Sequence, residues 1–103
     1  MINVIIYLPA KHDPVQLVAN LLEQKLIANA SIDKDNVSYR FDGSSINAVV
    51  ETVITAQTKA MLFSQIDTLV KEKHGDNVPV FSQPITQTNP SFDALIRNHT
   101  LKV

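Results

Sequence analysis

Residues 2–8 form a short apolar run, rich in β-branched side chains and nearly free of polar interruptions. That length and composition predict a buried strand. The period then changes. In "HDPVQLVANLLEQKLIANA", Val18, Leu21, Leu22 and Leu26 recur at helical intervals. Asp13 is placed to cap this helix, Pro14 suits its first position, and Gln16 can close a capping box. A second strand is predicted from about Ser31, interrupted by the polar "DKDN" and resumed over residues 37–41. Asp42-Gly43 then marks a tight hairpin turn, because Gly supplies the positive φ such turns need.

The return strand is too long. Residues 45–57 are almost free of breakers and rich in β-branched residues. At roughly 3.3 Å per residue, about a dozen such residues span about 40 Å. A compact domain of about 100 residues has a radius of gyration near 13 Å, so it is only about 35 Å across. Ile46, Ala48, Val50, Thr52 and Ile54 share one face of this strand, and Asn47, Val49, Glu51, Val53 and Thr55 the other. Neither face is cleanly polar, so the strand needs cover on both sides.

Thr58 is placed to cap a second helix with the stripe Leu62, Ile66, Leu69 and Val70. Lys71, Lys73 and His74 fall in its last turn, where cations suit the helix dipole, and Gly75 ends it. "VPVFSQPIT" reads as a fourth strand whose prolines restrict it to an edge or a bulge. Asn89-Pro90 opens a C-terminal helix through Phe92, Leu95 and Ile96. The order predicts an α+β fold: a ferredoxin-like βαββαβ sandwich with a C-terminal helix and a long hairpin between its second and third strands. Residues 1–103 form one domain, and the fold by itself carries no chemistry.

Composition narrows the function classes. With 9 Lys+Arg against 10 Asp+Glu, bulk charge does not recruit nucleic acid or an anionic membrane. The chain has no cysteine, hence no disulfide, thiolate metal site or thiol nucleophile. The apolar N-terminal run is too short to span a membrane and lacks the features of a leader, so a cytoplasmic location is expected.

Several local stretches resemble the CutA-like divalent-cation tolerance family, relatives in fold of the PII signalling proteins. The resemblance covers nearly the whole chain. It rests on "EQKLIANASI", where Asn29 and Ala30 stand near a family Cys, and on Tyr39 and Phe41 before the Asp42-Gly43 turn. Glu51 in the return strand and "KHGDNVP", with His74 and Pro79 at the family spacing, complete it. The Trp usual near the hairpin turn is absent, and Val80 stands where a Glu is expected. The resemblance implies a homotrimer in which long hairpins reach beyond their own subunit and pair with neighbours. Such pairing satisfies the surplus strand's backbone groups and covers its faces. It also implies clefts between subunits, lined here by Tyr39, Glu51 and His74. Members proposed to bind copper use a Cys at the end of the first strand and paired His after the second helix. The matching positions are Leu8, Lys73 and His74, so that ligand set is not carried over.

Among the residues themselves, Glu51 is placed to hold a cation or small ligand in a cleft between subunits, or else to pair with Arg40 across the hairpin or with a Lys of another subunit. His74 is a candidate ligand for a divalent cation, Cu or Zn, with Glu51 from a neighbouring subunit or Asp76 as partner; its other reading is a helix-dipole partner. His12 precedes a helix cap and His99 lies near the C-terminus. Tyr39 and Phe41 read as packing residues rather than a base-stacking platform. No nucleophile-base pair or Gly-rich phosphate loop is present, so no enzyme is expected. The function expected is a CutA-like role in metal-ion tolerance or binding. The alternatives are a PII-like small-molecule or nucleotide sensor and a structural oligomer with empty clefts.

Overall fold

The computed structural model describes residues 1–103. Its elements are β1 (Ile2–Pro9), α1 (Pro14–Glu23), β2 (Asn29–Phe41), β3 (Ile46–Thr58), α2 (Phe63–His74), β4 (Val80–Pro84) and α3 (Pro90–His99). A 3-10 turn at Ala60–Leu62 leads into α2. The strands form one antiparallel sheet in the order β2-β3-β1-β4, the ferredoxin-like arrangement that the element order predicts. β4 lies at an edge, which accommodates Pro84.

One face of the sheet makes the core. Val4, Ile6 and Leu8 of β1 and Ile54 and Ala56 of β3 pack with Leu17 and Leu21 of α1 and Ile66, Leu69 and Val70 of α2. On the other face Asn29 donates to Gln57 (2.8 Å) and Gln57 to Asn3 (2.9 Å), a row of carboxamides across three strands. Asn89 caps α3 by accepting from the Phe92 amide at 3.0 Å. Leu101 ties the C-terminal segment back, its amide donating to the Lys25 carbonyl and its own carbonyl accepting from Lys59 Nζ.

Asp13 caps α1 as its position predicts, with Oδ1 accepting from the amides of Val15 (3.0 Å) and Gln16 (3.2 Å). The buried stripe is rotated from the predicted one. It runs Pro14, Leu17 and Leu21, while Leu22 is 41% exposed. The helix also stops at Glu23, short of the periodic run. Lys25 turns left-handed (φ 58°), the Lys25 amide bonds to Leu22 O, and the Leu26 amide reaches back to Leu21 O. This is a Schellman ending, and it brings Leu26 into the same core as Leu21. A Lys at that position carries the steric strain of the left-handed region. Lys25→Gly is therefore expected to raise stability by about 0.5–1 kcal/mol, after the entropy cost of glycine. The denaturant midpoint checks it.

Thr58 does not cap the second helix. It is the last residue of β3, buried, and its hydroxyl donates to Leu26 O at 2.5 Å. With that hydroxyl spent on the carbonyl of the α1–β2 connection, α2 begins through the 3-10 turn without a side-chain cap. Its stripe of Leu62, Ile66, Leu69 and Val70 is buried as predicted, and Gly75 (φ 93°) ends it.

The "DKDN" segment does not break the second strand but bulges it. The pairing runs Asp33↔Val53 and then Asn36↔Glu51, so β2 carries one extra residue, with Asp35 at φ 63°. The bulge changes parity. It aligns Val37↔Val50, Tyr39↔Ala48 and Phe41↔Ile46 on the face that Ile32↔Ile54 occupies in the core. Beyond the helices that face is uncovered: Tyr39 is 72%, Phe41 68% and Ile46 74% exposed. Asp42 locks the tip, its carboxylate accepting from the amides of Ser44 and Ser45 and from Asn47 Nδ2, each at 2.9 Å. Those donors hold its carboxyl far below the usual range. The molecule is correspondingly elongated, 47 × 27 × 21 Å, with a radius of gyration of 14.5 Å.

Candidate functional site

The bulge also decides what Glu51 does. It places Arg40 on the face of Glu51, and Arg40 Nη2 donates to both carboxylate oxygens at 3.1 and 3.2 Å. Glu51 itself is buried (4% exposed). An isolated buried carboxylate is costly, so a hydrogen-bonded cation from the same chain is the partner this site requires. The carboxylate is thereby engaged within the subunit. Tyr39 lies on the opposite face of the hairpin, paired with Ala48, so within one chain Tyr39 and Glu51 do not share a site.

His74 sits elsewhere. The antiparallel pairing of β1 with β4 puts the end of β1 beside the start of β4, with Ile6↔Val80 in register and the Tyr7 amide donating to Pro79 O. The β1–α1 connection and the end of α2 therefore meet at one end of the sheet. There the rings of His12 and His74 pack edge to face, centroids 4.4 Å apart and planes at 68°. The His12 amide donates to Pro9 O, and Asp13 caps the next residues, so His12 stands on a fixed turn. Gln16, Leu17, Asn20, Lys73 and His74 line a small adjoining cavity of about 140 Å³.

His74 Nδ1 is buried and has no hydrogen-bond partner. Such an orphan costs about 1–3 kcal/mol in a folded protein. Desolvation, then the nearby His12 and Lys73, lower the His74 pKa from its ordinary 6.5, which keeps the ring in its neutral, ligating form. Stability follows from the sign. The unfolded chain takes up a proton at higher pH than the folded one, so this site contributes its full stability above the ordinary pKa of about 6.5 and loses it as pH falls below. Wild-type protein is expected to lose more Tm between pH 7.5 and pH 5.5 than His74→Gln does, measured at fixed ionic strength.

The positions to which the family resemblance points offer little. Leu8 is fully buried in the core and Lys73 is exposed, and neither bears a ligating atom suited to a soft cation. Asp76 is exposed beyond the helix end, His99 is exposed on α3, and no three His, Asp or Glu side chains converge. His12 is the residue that sequence reasoning missed. Its signal lay in the topology, since a βαββαβ sheet brings the first strand's end and the second helix's end together.

The family model for the CutA1 divalent ion tolerance protein matches residues 2–99. No curated protein matches the chain in sequence. Solved structures do match in shape. CutA1 from Oryza sativa superposes at a TM-score of 0.91 with 22% identity, covering 99% of this chain and 94% of that one. CutA1 from Pyrococcus horikoshii gives 0.87 at 20% identity over 99% and 100%. The periplasmic divalent cation tolerance protein CutA from Archaeoglobus fulgidus gives 0.85 at 25% identity over 96% and 98%. No helix here is long and apolar enough to cross a membrane. By its matched sequence, and with the shared ferredoxin-like fold, the chain belongs to the CutA1 divalent ion tolerance family.

Proposed function

We propose that this protein is a homotrimeric, cytoplasmic binding protein for a divalent cation, Cu²⁺ or Zn²⁺, serving metal-ion tolerance, and is not an enzyme. The observation that carries the reading is the buried, unpartnered imidazole nitrogen of His74 in a member of a divalent ion tolerance family. A neutral ring with a free buried nitrogen is what a borderline cation takes as ligand. Here the cation is cargo held at a surface cleft rather than a fixed cofactor.

The hairpin supports the assembly. Its outer face presents Val37, Tyr39, Phe41, Ile46 and Val50 to solvent in a single chain, an apolar strip continuous with the core face of the sheet. Exposed contiguous apolar surface of this kind marks an interaction site. A second and third copy cover it by closing a ring of identical heterologous contacts, with Tyr39, Glu51 and His74 bordering the clefts. Light scattering at micromolar concentration is expected to give about three times the chain mass. A cation that binds the folded state raises its melting temperature. Zn²⁺ or Cu²⁺ is expected to raise Tm while ATP does not. A rise with ATP and none with either metal would instead select the nucleotide-sensor reading.

A further inference from the structure

We propose that the cavity between the start of β1 and the segment leading into α3 binds a neutral, polyhydroxylated small molecule of the monosaccharide class. The cavity lies on the carboxamide face of the sheet, at the opposite end of β1 from His74, and its assignment is independent of the cation-binding reading.

Strand register builds one wall. Asn29 pairs with Gln57, Gln57 with Asn3, and Asn3 with Gln83, so four carboxamides stand in one row across all four strands. The row has a direction. Asn29 Nδ2 donates to Gln57 Oε1 and Gln57 Nε2 donates to Asn3 Oδ1, which leaves Asn3 Nδ2 as an unbonded donor. Hydrogen bonds in series polarise one another, so the donor at the end of the chain is strengthened as well as fixed in orientation. The opposite wall is the segment 85–92. The Ile85 amide donates to Met1 O at 3.0 Å and anchors its start, while Asn89 anchors its end as the cap of α3. Asn89 Oδ1 accepts from the Phe92 amide and from the Ser91 hydroxyl, so Asn89 Nδ2 is a second free donor. The helix end is thereby satisfied from within the chain, and the cavity between the two walls is the recognition element.

The lining decides the ligand. The cavity holds about 500 Å³, inside the range of about 300–1,000 Å³ of small-molecule sites. Asn3, Gln57, Gln87, Thr88, Asn89 and Ser91 supply its polar groups, and Ile85 with the Phe92 ring its apolar ones. No charged side chain lines it. Asp93 and Arg97, in the adjoining cavity around Met1, are bonded to each other at 2.7 Å. A phosphate, carboxylate or ammonium group therefore finds nothing here to replace its hydration. Each carboxamide and hydroxyl offers both a donor and an acceptor, which is also the capacity of a sugar hydroxyl. A single aromatic ring beside such groups suits the apolar C–H face of a pyranose.

The test is nuclear magnetic resonance on the full, isotope-labelled chain, titrated with D-glucose, D-galactose and D-mannose. Glucuronate and glucosamine are the charged controls. At least one neutral sugar is expected to shift the side-chain amide signals of Asn3 and Gln57 saturably, and both charged sugars to bind at least about fivefold more weakly. Asn3→Ala and Phe92→Leu are each expected to weaken neutral-sugar binding about three- to tenfold, the worth of one hydrogen bond or one ring face. Gln87 is exposed on the connecting segment, so Gln87→Ala serves if dichroism shows that Asn3→Ala disturbs the sheet. Met61→Ala, outside the lining, is expected to leave binding unchanged. The site would be overturned if no neutral sugar moves these signals, if charged and neutral sugars bind equally, or if every folded lining variant binds as wild type does.

Discussion

Val50→Asp is expected to convert the proposed trimer into monomers while leaving the subunit folded. Val50 is 48% exposed in the single chain and lies outside the fourteen-residue core cluster, so the subunit does not depend on it. It shares its face with Ile46 and Ala48 and is paired with Val37, in the middle of the strip that the proposed assembly covers. An aspartate there places an unpaired carboxylate in a dry contact at a cost of several kcal/mol. Every 1.4 kcal/mol or so is tenfold in affinity, so association weakens at least about a hundredfold per contact. Sedimentation is expected to show the mass falling to that of one chain, with the far-ultraviolet dichroism of the helices retained. A variant that keeps the proposed trimer's mass and the wild-type melting curve would contradict the face assignment that the bulge imposes.

Ile66→Ala is expected to have the largest effect on the subunit itself. Ile66 is fully buried and anchors α2 between Leu62 and Val70 against the sheet. Truncating a buried isoleucine removes transfer energy and leaves a cavity, together costing about 2–5 kcal/mol. For a domain of this size that lowers Tm by about 10 °C or more. Because α2 carries His74, the same change is expected to loosen the His12–His74 pair. Met61, 74% exposed on the turn before α2, is the contrast: Met61→Ala is expected to stay within about 0.5 kcal/mol of wild type. Equal losses from the two variants would show that the helix is not held by its apolar stripe.

Local chemistry was legible where a residue acts on its immediate neighbours. Asp13 caps its helix, Asn89 caps α3, Gly75 ends α2, and Asp42-Gly43 turns the hairpin, because each of these interactions spans only a few positions. Element order then determined the topology, since short connections leave few ways to build one sheet. Two local expectations failed for the same reason. The Thr58 hydroxyl and the end of α1 answer to residues far away in sequence: Thr58 serves Leu26, and the left-handed Lys25 exists to deliver Leu26 to the core.

Amino-acid pattern alone determined that the chain forms a ferredoxin-like domain with an overlong hairpin, since periodicity, caps and breakers are properties of neighbouring residues. Tertiary structure decided the site. One extra residue in β2 shifts the side-chain parity, sends Arg40 to Glu51 and lines the free hairpin face with apolar groups. The antiparallel pairing of β1 and β4 sets His12 against His74 across sixty-one intervening residues. Bulge position and strand register are settled by long-range burial and hydrogen bonding, and no local window of sequence contains both partners.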